Sequence, residues 1–227
     1  RGGCIRPKHI APDGINVDGF GSDGVAAQGA APPGAAPVIG YFTRMCPEKG
    51  LDTLVEAFLL VKQRSGLASC RLHVGGGCGP GDEPFVARLR DRLATAGVAQ
   101  DTEFFPNVDR AGKLRFYEGL TVFSVPALYG EAFGLYLIEA LAAGVPVVQP
   151  RHAAFPEIIG ATGGGLLYEP GNPTALADAL DSLLRDPAKA RQLGQHGQRV
   201  LREQFTSGRM AQNVLRVFET VGQRRPT

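Results

Sequence analysis

Two acids and two cations carry the chemistry that this chain displays. Glu131 and Glu139 bracket the segment EAFGLYLIE inside the run PALYGEAFGLYLIEALAAGVPVVQP at 126–150. A loop ending in Gly-Glu-Ala-Phe-Gly opens an apolar helix, and Glu139 falls within it among Leu135, Leu137, Ile138, Leu141 and Ala142. An ionised carboxylate there is costly to bury unless a polar group meets it. Arg44 and Lys49 share the loop TRMCPEKG. One brings a planar fork of donors and the other a mobile point charge, a pair suited to a diphosphate. Gly134 removes a side chain where the helix start must come close to phosphate. Glu131 precedes the helix and can face sugar hydroxyls. Glu139 lies five residues beyond Gly134, roughly 7.5 Å along a helix, a reach suited to a ribose diol that donates two hydrogen bonds to one carboxylate. Taken singly, Arg44 and Lys49 read as surface charges. Taken together, opposite the 130–135 loop, they favour a ligand with both hydroxyls and a diphosphate, a nucleotide-sugar.

These residues must be positioned by strands and helices, and from Val38 onward the two alternate. Short apolar runs predict strands at 38–42, 71–74, 102–105, 121–126, 145–149 and 164–169. Helical spacing of apolar residues, such as Leu54, Val55, Phe58 and Val61, predicts helices near 52–63, 83–96, 111–118, 133–143, 173–184, 187–204 and 208–221, with a helical turn from 155 to 159. Such alternation implies an α/β fold, a doubly wound parallel sheet of Rossmann-like form. Ligands of these sheets bind beyond the carboxyl ends of the strands. The polar and glycine-rich clusters at 43–50, 75–82, 106–110, 127–134 and 150–156 each follow a strand, so they should meet on one rim.

Composition narrows the classes. The chain has 227 residues, 44% hydrophobic and 20% charged, with a formal charge of +2. That is an ordinary globular chain with no charge excess to recruit nucleic acid. Cys4, Cys46, Cys70 and Cys78 lack C-x-x-C spacing, so free thiols are expected rather than a zinc knuckle or redox pair. The start RGGCIRPKHI has no apolar core of a signal peptide. Charges and prolines interrupt the most apolar stretch, 119–150, so it reads as buried strand–helix–strand rather than a membrane span. Residues 1–37 are rich in Gly and Pro and read as an interdomain linker with a Gly/Pro-rich insertion. The G-x-G-x-x-G at Gly19, Gly21 and Gly24 is not a dinucleotide fingerprint, because no strand precedes it and no helix follows.

The Glu131-to-Glu139 element, followed by ALAAGVPVV and PEII (156–159), resembles the retaining glycosyltransferases of group 1 (family 4). The segment GYFTRMCPEKGL (40–51) is similar to that family's Gly/Arg…Glu-Lys-Gly run, and HIAPDGINVDGF (9–20) is similar to the stretch joining its two domains. The resemblance covers about residues 10–223 and implies the C-terminal half of a two-Rossmann, GT-B architecture. It divides the chain into a linker (1–37), a nucleotide-sugar donor-binding domain (38–207) and a C-terminal helix (208–227) that would cross to an N-terminal Rossmann domain. The resemblance further implies that Arg44, Lys49 and Glu131 act on the donor diphosphate and hexose. Gly40, Gly75 and Gly77 would allow close approach of the ligand. The backbone of Phe133, Gly134 and Leu135 would bond sugar and phosphate oxygens, Glu139 would take the ribose, and Val108 the base, with Lys113 nearby.

The implied activity is transfer of a hexose from a nucleotide-diphosphate sugar to a hydroxyl of a sugar, polysaccharide or lipid acceptor, with retention at the anomeric carbon. The donor is a substrate, and no cofactor or metal is expected; no D-x-D triplet, which would chelate a metal-bound diphosphate, occurs in the chain. The sequence holds no counterpart of the N-terminal domain, so the isolated domain is expected to be inactive. A cytoplasmic location is implied, with peripheral contact at the inner membrane face left open. Two alternatives remain: a non-catalytic nucleotide-binding module, or a GT-B UDP-N-acetylhexosamine epimerase or hydrolase. Tyr136 departs from the family pattern, in which Pro or Val is more usual, and reads as packing. Met210, Val214, Val217 and Val221 should be partly exposed on the last helix.

Overall fold

A computed structural model describes residues 13–21 and 35–222. The N-terminal part of the linker, Cys4, His9, Gly24 and the Arg224–Arg225 pair lie outside the described residues. Six strands form one parallel sheet: β1 (Val38–Phe42), β2 (Arg71–Gly76), β3 (Thr102–Pro106), β4 (Val122–Phe123), β5 (Val147–Pro150) and β6 (Gly165–Tyr168). Their order is β3-β2-β1-β4-β5-β6, and every pairing is parallel. The order reverses between β1 and β4, which opens a crevice where their two following loops diverge.

The helices are α1 (Leu51–Lys62), α2 (Glu83–Thr95), α3 (Arg110–Glu118), α4 (Leu135–Ala142), α5 (Phe155–Thr162), α6 (Pro173–Leu184), α7 (Pro187–Gln204) and α8 (Ser207–Gly222). Their caps follow from local chemistry. Asp109, Asn172 and Asp186 each accept a backbone N–H from the first turn that follows, and Pro173 and Pro187 start α6 and α7 where no N–H is needed. Strands buried on both faces must be apolar throughout. Accordingly Ile39, Tyr41, Leu72, Val74, Val122, Phe123, Val147 and Val148 are all fully buried.

Two expectations are corrected and one is extended. The expected strand 121–126 shortens to a two-residue ladder, although Ser124 N–H still donates to the Gly40 carbonyl at 2.9 Å. Beyond it, the Val125 N–H donates to the side-chain carbonyl of buried Gln149 at 3.3 Å. A side chain has replaced the neighbouring strand. The helical turn expected to begin at FPEII (155–159) does begin there, and it runs on to Thr162 before Gly163 closes it. Residues 13–21 are docked rather than free of the core. Ile15 bridges to Thr206, and Phe20 is only 2% exposed, its ring 5.9 Å from that of Tyr117. Burying a phenylalanine contributes about 1.5–3 kcal/mol, enough to dock a Gly-rich stretch that sequence composition marks as free.

On α8, Val214 and Val221 are exposed and Met210 and Val217 half-buried. The most exposed apolar residues are instead Phe218 and Leu215, at 68% and 60%. No helix among the described residues is long and apolar enough to cross a membrane.

Candidate active site at the strand-order switch

The loop after β1 is held by its neighbours. Thr43 N–H donates to the Gly75 carbonyl at 3.2 Å and Met45 N–H to the Gly77 carbonyl at 2.8 Å. Met45 is fully buried, and alternation along the chain turns Arg44 outward. Gly76 makes this close pairing possible. Its φ is +119°, and a Cβ there would fall 2.0 Å from the Thr43 carbonyl oxygen. Arg44 donates from Nε to both oxygens of Asp82, each at 3.1 Å, and from Nη2 to Oδ1 at 2.9 Å. The guanidinium, with the Gly79 N–H, holds the Asp82 carboxyl below its usual range.

A 3-10 turn at Pro47–Lys49 then carries the chain to α1, and Lys49 points to the loop after β4. Its Nζ lies 2.5 Å from Glu131 Oε2, 5.2 Å from the centre of the Tyr129 ring and 5.6 Å from that of Tyr136. Burial lowers the Lys49 pKa, but hydrogen bonding to Glu131 and Tyr129 outweighs it, so the ammonium is held above its ordinary value. The Leu128 N–H donates to the Glu48 carbonyl at 3.0 Å, clamping the two loops together. A cleft of about 400 Å³ opens between them, lined by Arg44, Glu48, Lys49, Asp82 and Tyr129.

Gly134, with φ +77°, is the N-cap of α4, and no side chain caps that helix start. Its first-turn N–H groups therefore present partial positive charge beside the Lys49–Glu131 pair. Tyr136, in the same turn, donates its hydroxyl to Glu131 Oε2 at 3.1 Å. The second acid is arranged in the same way. Glu139 Oε1 accepts from Lys113 Nζ at 2.5 Å, and Oε2 lies 3.3 Å from the Tyr117 hydroxyl. Tyr117 also lies 3.3 Å from the Tyr136 carbonyl oxygen, so the two clusters adjoin.

Arg44, Lys49, Glu131, Gly134, Glu139 and Lys113 thus all lie on elements at the carboxyl end of the sheet, as expected. Other expected residues are placed differently. Gly40 is not at a strand end: it pairs with His73 and Phe123 mid-ladder, and a Cβ there would meet Leu120 Cδ1 at 2.2 Å. Gly75 likewise abuts the Phe42 ring, 2.5 Å from its would-be Cβ. Core packing, not ligand approach, accounts for both glycines. Gly77 is the open one, with only the Arg44 Cα at 3.9 Å. Val108 is half-buried beside Gly112. The Phe133 ring packs toward Phe205, 6.2 Å away, and Leu135 is 51% exposed.

Sequence reasoning missed Asp82, Tyr117, Tyr129, Tyr136 and Asn107. Asn107 takes a positive φ of 54° and makes two hydrogen bonds to the Cys78 backbone, tying the loops after β2 and β3. Tyr117 follows Lys113 by four residues on α3, a spacing that puts both on one face and could have flagged it. His152 lies at the border but spends its ring on the Ala127 carbonyl, 2.8 Å away. Among the described residues no group of three or more His, Cys, Asp or Glu could hold a metal, and Cys46, Cys70 and Cys78 are free thiols.

Comparison with known proteins places the chain in a family. Residues 27–200 match the family described as glycosyl transferases group 1. The chain is 33% identical over 180 residues to the phosphatidyl-myo-inositol mannosyltransferase of Mycobacterium leprae, covering 77% of this chain and 44% of that protein. It is 32% identical over 184 residues to the D-inositol 3-phosphate glycosyltransferase of Jonesia denitrificans, covering 80% and 42%. The chain therefore spans less than half the length of these relatives. Among solved structures, sucrose-phosphate synthase from Thermosynechococcus elongatus superposes with a TM-score of 0.79 at 28% identity, over 95% of this chain and 53% of that one. With the family match spanning most of its length and the fold in agreement, the chain belongs to the group 1 glycosyltransferases.

Proposed function

We propose that this chain is the donor-binding half of an enzyme that transfers a hexose from a nucleotide-diphosphate sugar to a hydroxyl acceptor with retention at the anomeric carbon. The observation that carries the reading is the Lys49–Glu131 pair, 2.5 Å apart across the loops after β1 and β4, beside the uncapped start of α4. In this reading the diphosphate enters between Lys49, Arg44 and the first-turn N–H groups. Positive charge fixed there stabilises the negative charge that develops on the departing β-phosphate, the electrostatic contribution that usually weighs most. Glu131 accepts from a hexose hydroxyl, Glu139 from the ribose diol, and the backbone near Val108 meets the base, with Lys113 close by.

The internal acids are also the counter-ions that keep these cations compact without ligand. Diphosphate binding exchanges carboxylate contacts for phosphate contacts rather than creating charge pairs from solvent. The reaction as proposed uses no cofactor and no metal. The acceptor, a sugar, polysaccharide or lipid, is brought by an N-terminal domain of the whole protein; the names of the two relatives favour a hexose donor and an inositol-containing acceptor. Work at a membrane face would follow if that acceptor is a lipid.

Thermal unfolding of the chain with UDP, GDP and ADP tests the reading. One of the three should raise the melting temperature, weakly, and the chain alone should transfer no sugar. If none of the three raises it at millimolar concentration, the nucleotide assignment is wrong.

A further inference from the structure

We propose that Tyr136 is a positioning residue for Glu131, holding one carboxylate oxygen so that the other is left to accept a hydroxyl of the donor sugar. The inference rests on the donor-binding reading above and adds a residue to it. Glu131 Oε2 receives two donors, the Tyr136 hydroxyl at 3.1 Å and the Lys49 ammonium at 2.5 Å. Among the described residues Oε1 has no hydrogen-bond partner. A carboxylate has about four acceptor sites, so Oε1 keeps its capacity for a ligand while Oε2 fixes the plane of the group.

Tyr136 is suited to this because it cannot easily move. It is 8% exposed, with its ring centre 6.3 Å from that of Phe123 and the Lys49 ammonium 5.6 Å away. Gly134 lies between them: the position of a Cβ there is at ordinary contact distance from both Glu131 Cγ, at 3.4 Å, and Tyr136 Cζ, at 3.5 Å, with the Phe155 ring closer still at 3.1 Å, so the stem of the acid and the tip of the ring flank the same glycine. The backbone of Tyr136 is tied to the other acid, since its carbonyl oxygen lies 3.3 Å from the Tyr117 hydroxyl that also reaches Glu139. Burial and the Glu131 charge push the Tyr136 phenol well above its ordinary pKa, so it remains a donor across the working range. A proline or valine at 136 has no hydroxyl to donate to Glu131.

The test is a ligand pair. The chain and its Tyr136→Phe variant are titrated with UDP and UDP-glucose, and with GDP and GDP-mannose, keeping whichever base the wild type binds. The variant should hold the nucleoside diphosphate within about twofold of wild type and weaken the nucleotide-sugar by about fivefold or more, as expected for one lost orienting hydrogen bond to a charged group. In a Glu131→Ala background, where no acceptor is left to orient, the same change should cost no further sugar affinity. Equal weakening of both ligands, no weakening of either, or failure of Tyr136→Phe to fold would each overturn the inference, since each assigns the hydroxyl to structure or to nothing. Wild type that binds neither nucleotide nor nucleotide-sugar sinks the donor-binding reading and this inference with it. Binding by wild type with an unaltered variant sinks this inference alone.

Discussion

Two clusters of the same composition, Lys49–Glu131–Tyr136 and Lys113–Glu139–Tyr117, stand side by side at the crevice and are built differently. In the first, Lys49 and Glu131 sit on loops that follow separate strands, and only Tyr136 belongs to a helix. In the second, all three residues lie on α3 and α4, and Tyr117 is fully buried against Phe20, Phe42, Phe116 and Phe123. The first acid therefore has one contact, to Lys49, that a ligand can replace, beside one to Tyr136 that stays; both contacts of the second come from helices whose positions belong to the core. The same three residue types make an adjustable site in one place and a rigid one in the other.

That contrast can be broken by substitution. Lys49→Ala should have the largest effect on nucleoside diphosphate binding. It removes a cation from the diphosphate and leaves Glu131 with the Tyr136 hydroxyl alone; the loss should be about 2–4 kcal/mol, roughly 30- to 1000-fold in Kd by calorimetric titration. Because the lost contacts lie between loops, the melting temperature without ligand should fall little. Glu139→Ala should weaken the same ligand by about tenfold, the effect of one charged hydrogen-bonding group, with the far-ultraviolet circular dichroism unchanged. If it unfolds the domain instead, Glu139 is a structural helix residue and the ribose role is wrong. Tyr117→Phe should show the reverse pattern, the smallest effect on binding and a stability loss of about 1 kcal/mol in urea unfolding. Equal responses of the two clusters in both measurements would remove the distinction.

Much of this architecture was legible in the sequence because it is written in local patterns. Apolar runs at 38–42 and 71–74 are short and bounded by Gly or Pro, which marks buried strands, and the spacing of Leu54, Val55, Phe58 and Val61 has the helical period. The parallel order follows from their alternation. What was not legible depends on partners distant in the chain. The run at 121–126 is apolar throughout, so nothing local reveals that Gln149 intercepts the ladder at Val125. Phe20 lies in a stretch whose glycines signal freedom, and only Tyr117 and α7 show why it is fixed: the Arg202 guanidinium donates to the Phe20 carbonyl at 2.9 Å.

The site shows the same division. Arg44, Lys49, Glu131 and Glu139 are conspicuous as charges in loops or in an apolar helix. Asp82 hides among glycines and prolines until Arg44 is seen upon it. Tyr136, read from sequence as packing, does pack, but its hydroxyl also ends on Glu131. Gly40 erred in the opposite direction: a glycine near a motif invites a ligand role, and the Leu120 side chain already fills the space.

The central claim is that loops from separate strands gather Arg44, Lys49, Glu131 and the start of α4 around one activated-sugar ligand. A crystal structure of the chain soaked with the nucleoside diphosphate that raises its melting temperature tests this most directly. The account predicts phosphate oxygens within about 3.2 Å of Lys49 Nζ and the first-turn N–H groups of α4, with Arg44 turned to the same anion. A diphosphate bound elsewhere on the surface, with the Lys49–Glu131 pair undisturbed, would contradict it.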